Sequence, residues 1–124
     1  ANEHAARYIQ ACQKLARSYG VANVLVAHRT SDLRAQSDDG TATAKIGTGL
    51  VAETQTRVLF RIPTDQVADA TSMFDLSPTE QRIVTMLRRG RAIWHVGDHK
   101  AVVQHELTAA ERRLTGTDAA MGIR

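Results

Sequence analysis

Apolar residues recur over the first twenty positions at Ala5, Tyr8, Ile9, Cys12, Leu15, Ala16 and Tyr19, with Arg7, Gln10, Lys14 and Arg17 between them. That spacing draws one apolar stripe along a helix over Asn2–Tyr19, and Gly20 suits the left-handed residue that closes a helix. The period then changes. Val21–His28 contains the run Val24-Leu25-Val26-Ala27, apolar on both faces, which predicts a strand inside a parallel sheet covered by helices on both sides. Arg29–Gly40 is polar and rich in Ser, Asp and Gly. It predicts a loop of about a dozen residues, a length that in compact domains usually carries function.

Helical character returns over Thr41–Glu53 through Ala42, Ile46 and Leu50, weakened by Gly47 and Gly49. Thr56–Ile62 predicts a second strand, with Val58, Phe60 and Ile62 on one face and Leu59 on the other. Two short helices follow. Asp65–Phe74 has Thr64 as its candidate cap. The next opens on Ser77-Pro78-Thr79-Glu80, in which Ser77 caps, Pro78 takes the first helical position and Glu80 completes a capping box. Ile83, Val84 and Leu87 give this helix its inner face, and Gly90 is its expected end. Arg91–Val96 and Lys100–Leu107 read as a hairpin about Gly97-Asp98, a turn of the II′ kind. Thr108-Ala109-Ala110-Glu111 is a second capping box before a short final helix. A helical crossover between the first two strands implies a parallel pair, so the predicted fold class is α/β.

Length and composition fit one soluble domain: 124 residues, 43% hydrophobic and 23% charged, with no apolar run near the ~20 residues of a membrane span. The single Cys12 excludes an internal disulfide framework and suits a reducing compartment, so the expected location is cytoplasmic. Sixteen Lys and Arg against thirteen Asp and Glu leave a net charge of +3. The densest basic run is Arg88, Arg89 and Arg91, compatible with phosphate contacts. Five aromatic residues are too few for a stacking platform that holds several bases.

Catalytic signatures are sparse. If Gly97-Asp98 turns the hairpin, Val96 pairs with His99 and His105 falls opposite Gly90, about 15 Å or more along the strands from His95. The histidines then assemble no metal site and read as ordinary surface residues. No nucleophile elbow surrounds any serine, and neither G-x-x-x-x-G-K-[ST] nor G-x-G-x-x-G occurs. Gly47-Thr48-Gly49 lacks the glycine and lysine of a nucleotide cradle. The remaining signal is His28-Arg29-Thr30-Ser31-Asp32-Leu33, placed directly after the predicted buried strand. The carboxyl ends of strands are where open α/β sheets bind ligands.

From Lys14 to Leu33, a helix ending in Arg17-Ser18-Tyr19-Gly20 leads into an apolar strand that closes on His28-Arg29-Thr30. This stretch resembles the FtsK/HerA class of RecA-like motor ATPases, closest to the VirB-type and TraG-like ATPases of conjugation and type IV secretion in actinobacteria. Thr56-Arg57-Val58-Leu59-Phe60-Arg61 looks like the family's next core strand. Leu76-Ser77-Pro78-Thr79-Glu80, Leu87-Arg88-Arg89-Gly90-Arg91-Ala92 and Val103-Gln104-His105-Glu106-Leu107-Thr108 look like the segments that follow it. The resemblance covers essentially the whole chain and corresponds to the C-terminal half of a RecA-like, three-layer P-loop core. The Walker A and Walker B portions are absent from it.

The resemblance implies roles by position. Arg17 matches the arginine that reaches across a subunit interface to a neighbour's nucleotide, where a fixed charge and forked donors stabilise charge on the γ-phosphate. His28 matches the γ-phosphate sensor, usually glutamine; imidazole still donates and accepts, but it titrates near neutrality. Arg57 and Arg61 are implied interface or phosphate contacts. Arg29 and Arg34 would face the channel of a ring and touch nucleic acid, opposed by Asp32, Asp38 and Asp39. On this reading the chain is part of a hexameric motor that uses ATP and Mg in the full-length protein, and it is inactive alone. Its partners would be further copies in a ring, a DNA or secreted-protein substrate, and secretion-complex proteins that could hold it at the inner face of a membrane. The alternative is a non-catalytic module for oligomerisation or nucleic-acid binding. In the RecA-like sheet the Walker A strand lies between Val21–His28 and Thr56–Ile62, so without it those strands are expected to pair directly, to meet another copy or to borrow the missing half.

Overall fold

The computed structural model describes residues 3–30 and 49–116. Helix α1 (Glu3–Ala16) continues into a 3₁₀ turn at Arg17–Tyr19, and Gly20 closes it at φ 66° with its amide bonded to Arg17 O. Only glycine takes that left-handed geometry without a Cβ penalty, so the predicted helix and its stop both stand. Residues 49–53 are helical, as expected for the end of the Thr41–Glu53 segment; the rest of that segment, and the predicted loop beyond Thr30, lie outside the described residues.

The sheet has three strands in the order β1 (Thr56–Leu59), β2 (Arg91–Val96), β3 (His99–Gln104), and both pairings are antiparallel. This corrects the expected parallel pair. Residues 21–27 carry no regular structure, and Val24 and Val26 are 86% and 82% exposed. A strand that is apolar on both faces needs strands beside it and helices above and below. No described strand lies next to this run, so its composition alone does not make it one. The second strand is also shorter than predicted: within β1 only Leu59 is a core residue, Ile62 beyond its end packs against the core, and Val58 and Phe60 are exposed.

The hairpin forms with the predicted register. Val96 pairs with His99, and the His105 amide donates to Gly90 O at 2.7 Å. Gly97 has φ 57° and Asp98 does not share the positive sign, as a II′ turn requires. Between β1 and β2 lie a 3₁₀ turn at Thr64–Gln66, helix α2 (Val67–Phe74) and helix α3 (Pro78–Met86). Thr64 therefore sits inside the turn and does not cap α2. Helix α3 carries the complete Ser77/Glu80 capping box, and helix α4 (Ala109–Thr115) the complete Thr108/Glu111 box. Helix α3 ends at Met86, with Leu87 already extended. Gly90, the expected terminator, instead takes φ 81° in the turn Arg88–Arg91, closed by the Arg91 amide on Arg88 O at 3.0 Å. That sign at the third position is the type II turn's demand for glycine.

Helices α2 and α3 cover one face of the sheet. Leu59 and Ile93, cross-strand partners, meet Ala70, Leu76, Val84 and Leu87 in the core. The alternate residues Val58, Trp94 and Val96 lie on the opposite face and remain partly exposed. The fold is thus a mixed helix and strand unit built on a small antiparallel sheet, and no described helix is long and apolar enough to cross a membrane.

Candidate functional site: a basic cleft and a buried charge cluster

Two sites emerge. The first lies where β1 ends and the α3–β2 link begins. Ile62 donates its amide to Val84 O at 3.1 Å, which draws the segment after β1 against α3. Phe60, Arg61, Thr85, Met86, Leu87 and the turn Arg88–Arg91 then line an open cleft of about 700 Å³. Four of these residues are arginines, Arg61, Arg88, Arg89 and Arg91, and none is acidic. Arg91 is oriented by its Nε donating to Gln104 Oε1 at 2.7 Å. The C-terminal end of α3 points here and brings roughly half a negative charge. Four arginines outweigh it, so the described lining of the cleft is electropositive and rich in forked donors.

The second site is a charge cluster inside the fold. His95, read from sequence as a surface residue, is buried. Its Nε2 lies 2.6 Å from Glu80 Oε1, while Lys100 Nζ donates to Glu80 Oε2 at 3.3 Å and the Ser77 amide to the same oxygen at 2.8 Å. Burial is the largest influence on the Glu80 carboxyl and pushes its pKa up. The hydrogen bonds from the Ser77 amide, His95, the Ser77 hydroxyl and Lys100 together outweigh it and hold the pKa at about 2. An ionised carboxylate only accepts, which places a proton on His95 Nε2. Glu80, legible as a helix cap, is therefore also the clasp between α3 and both strands of the hairpin. The register His95↔Lys100 was the available signal, because it places an imidazole and an ammonium side by side on one face.

The residues singled out by resemblance are dispersed. Arg57 is engaged by the backbone: its Nε donates to Thr54 O at 3.2 Å and its Nη2 to Val51 O at 3.0 Å. It caps the carbonyl end of the helical turn at residues 49–53, so two of its nitrogens are engaged within the chain. Arg57→Ala is expected to lower stability by about 1 kcal/mol and leave polyanion affinity unchanged, read by urea unfolding and a binding titration. Arg17 is exposed at the head of the 3₁₀ turn and His28 is exposed in the irregular segment. Among the described residues no hydrogen bond or ion pair joins Arg17, His28, Arg57 and Arg61 to one another. Arg29 is described; Arg34 lies outside the described residues. Of the residues named in advance, the structure brings Arg61 to the Arg88, Arg89 and Arg91 run, and it leaves the others apart. No family model, curated protein or solved structure matches the chain.

Proposed function

We propose that the chain is a non-catalytic module that binds the phosphate backbone of nucleic acid through the basic cleft. One observation carries this reading: Arg61 from the end of β1 and Arg88, Arg89 and Arg91 from the α3–β2 turn line a single cleft in which no described lining residue is acidic. The glycine turn fixes three of the four on rigid backbone, which limits the entropy lost when phosphates are engaged. The side chains of Arg61 and Arg88 hold no hydrogen bond or ion pair with another described residue. An Arg61→Gln/Arg88→Gln chain is expected to bind a labelled oligonucleotide of about 20 nucleotides roughly tenfold more weakly at about 0.1 M salt. The slope of log K against log[salt] becomes shallower by about 1.5, the share of two phosphate contacts. No binding at low salt, or an unchanged slope, sinks the reading.

A second reading places the chain in the C-terminal half of a RecA-like motor of the conjugation and secretion class, with ATP and Mg bound in the full-length assembly. Arg17 favours it: the side chain is exposed and takes no described partner, as an arginine reaching a neighbouring subunit would be. The described residues assemble no nucleotide cradle, since Arg57 is spent on backbone carbonyls and His28 stands apart. Under this reading the chain's own contribution is Arg17 offered in trans. In the ring it requires, Arg17→Ala abolishes ATP turnover while assembly persists; full turnover removes the assignment.

A further inference from the structure

The basic cleft is not polar throughout. Phe60 and Met86 line it beside the four arginines, and they are 63% and 70% exposed. Phe60 belongs neither to the buried cluster nor to the side chains packed against it, although Leu59 before it and Ile62 after it do. Its backbone is nonetheless held on both sides. β1 ends one residue earlier, and the Ile62 amide is fixed on Val84 O two residues later. An aromatic ring with two side-chain torsions on a fixed backbone loses little entropy when something stacks on it.

We propose that Phe60 is the stacking face for one unpaired base, which makes a single strand the ligand of this cleft. The inference rests on the reading of the same cleft as a phosphate-binding surface. The arginines alone do not choose, because duplex and single strand both present phosphates. The ring does choose. In a duplex each base is covered by its neighbours in the stack, whereas a base in a single strand is free to lie on an aromatic side chain. Every base has a π-face, so such a contact tolerates any sequence. One ring serves one base, which is all that this aromatic-poor chain offers at the cleft. The cleft of about 700 Å³ lies in the range that holds a small organic ligand, the scale of a nucleotide within a strand laid across it. Met86, at the end of α3, adds an unbranched thioether that adapts to the shape of the base.

Fluorescence anisotropy of the whole chain with two labelled strands of about 20 units tests this, one of thymidines and one abasic with the same charge. At about 0.1 M salt the parent is expected to bind the thymidine strand about tenfold more tightly than the abasic strand. In Phe60→Ala that ratio falls to near one, while the salt slope, set by the phosphate contacts, and the affinity for a duplex stay as in the parent. Phe60→Tyr keeps the preference. Phe60 is exposed and outside the core, so an unchanged melting curve shows that its variants are folded, and the comparison of the two strands on the parent needs no variant. Thymidine monophosphate, one phosphate against four arginines, should displace the strand only at far higher concentration. Equal binding of the thymidine and abasic strands overturns the stacking role, as does an equal loss against duplex in Phe60→Ala; either result leaves the phosphate reading standing. Displacement by the mononucleotide at the strand's own concentration overturns the strand as ligand. Binding of no polyanion at low salt removes both readings together.

Discussion

Glu80→Ala is expected to lower stability by about 3 kcal/mol at neutral pH, read as a shift of the urea midpoint. The carboxylate closes the α3 capping box and holds His95 and Lys100 against the helix start. Removing it strands a buried imidazole without its partner, and such losses exceed the net worth of the bonds themselves. The pH dependence has a fixed sign. The folded carboxyl titrates at about 2, below its ordinary 4.5. Its contribution is therefore complete above pH 4.5, declines as pH falls and is gone below about 2, a change on the order of 3 kcal/mol. Glu80→Gln keeps the shape and much of the capping geometry, so the gap between parent and Gln chain should close steadily on acidification. A gap that stays constant from pH 7 to pH 2.5 would contradict the clasp.

The other large effect belongs to Ile93, which with Val84 is one of the two largest side chains fully buried in the core. Ile93→Ala should cost about 3–4 kcal/mol, the transfer energy of the lost methyl groups plus the cavity they leave. Among the described residues the buried cluster is Leu59, Ala70, Leu76, Val84 and Leu87 beside Ile93, with Ile62, Val67, Phe74 and Ile83 packed against it, and its small size limits how far neighbours can collapse into the space. Denaturant unfolding measures it, with Trp94→Ala on the outward face as the contrasting substitution. A loss below about 1 kcal/mol for Ile93→Ala would mean that the two helices do not depend on this face of the sheet.

Local chemistry was the legible part. Both capping boxes, the Gly20 stop and the Gly97-Asp98 hairpin depend on residues within a few positions of one another, and each forms as its sequence dictates. What required distant neighbours was read poorly. The run Val24-Leu25-Val26-Ala27 states a preference for burial between strands but not whether such strands exist to receive it. Leu59 looked like the minor face of β1 and is its core residue, because the helices settle on that side. His95 became a buried ligand of Glu80 through packing of α3 on the hairpin, fifteen positions apart in the chain. The basic cleft lay between these extremes: the Arg88–Arg91 run and Arg61 both stood out in the sequence, and their convergence came from the Ile62–Val84 bond that no local pattern encodes.

The outward face of the sheet has a practical consequence. The chain's one tryptophan is Trp94, at the centre of that face between Val58 and Ala101, half in water and lining no part of the basic cleft. Its fluorescence is thus an intrinsic optical gauge of that surface: emission moves to shorter wavelength when something covers the sheet. An oligonucleotide seated among the arginines would leave the same signal unmoved. One cuvette can therefore tell a ligand in the cleft from a partner on the sheet, without any label attached.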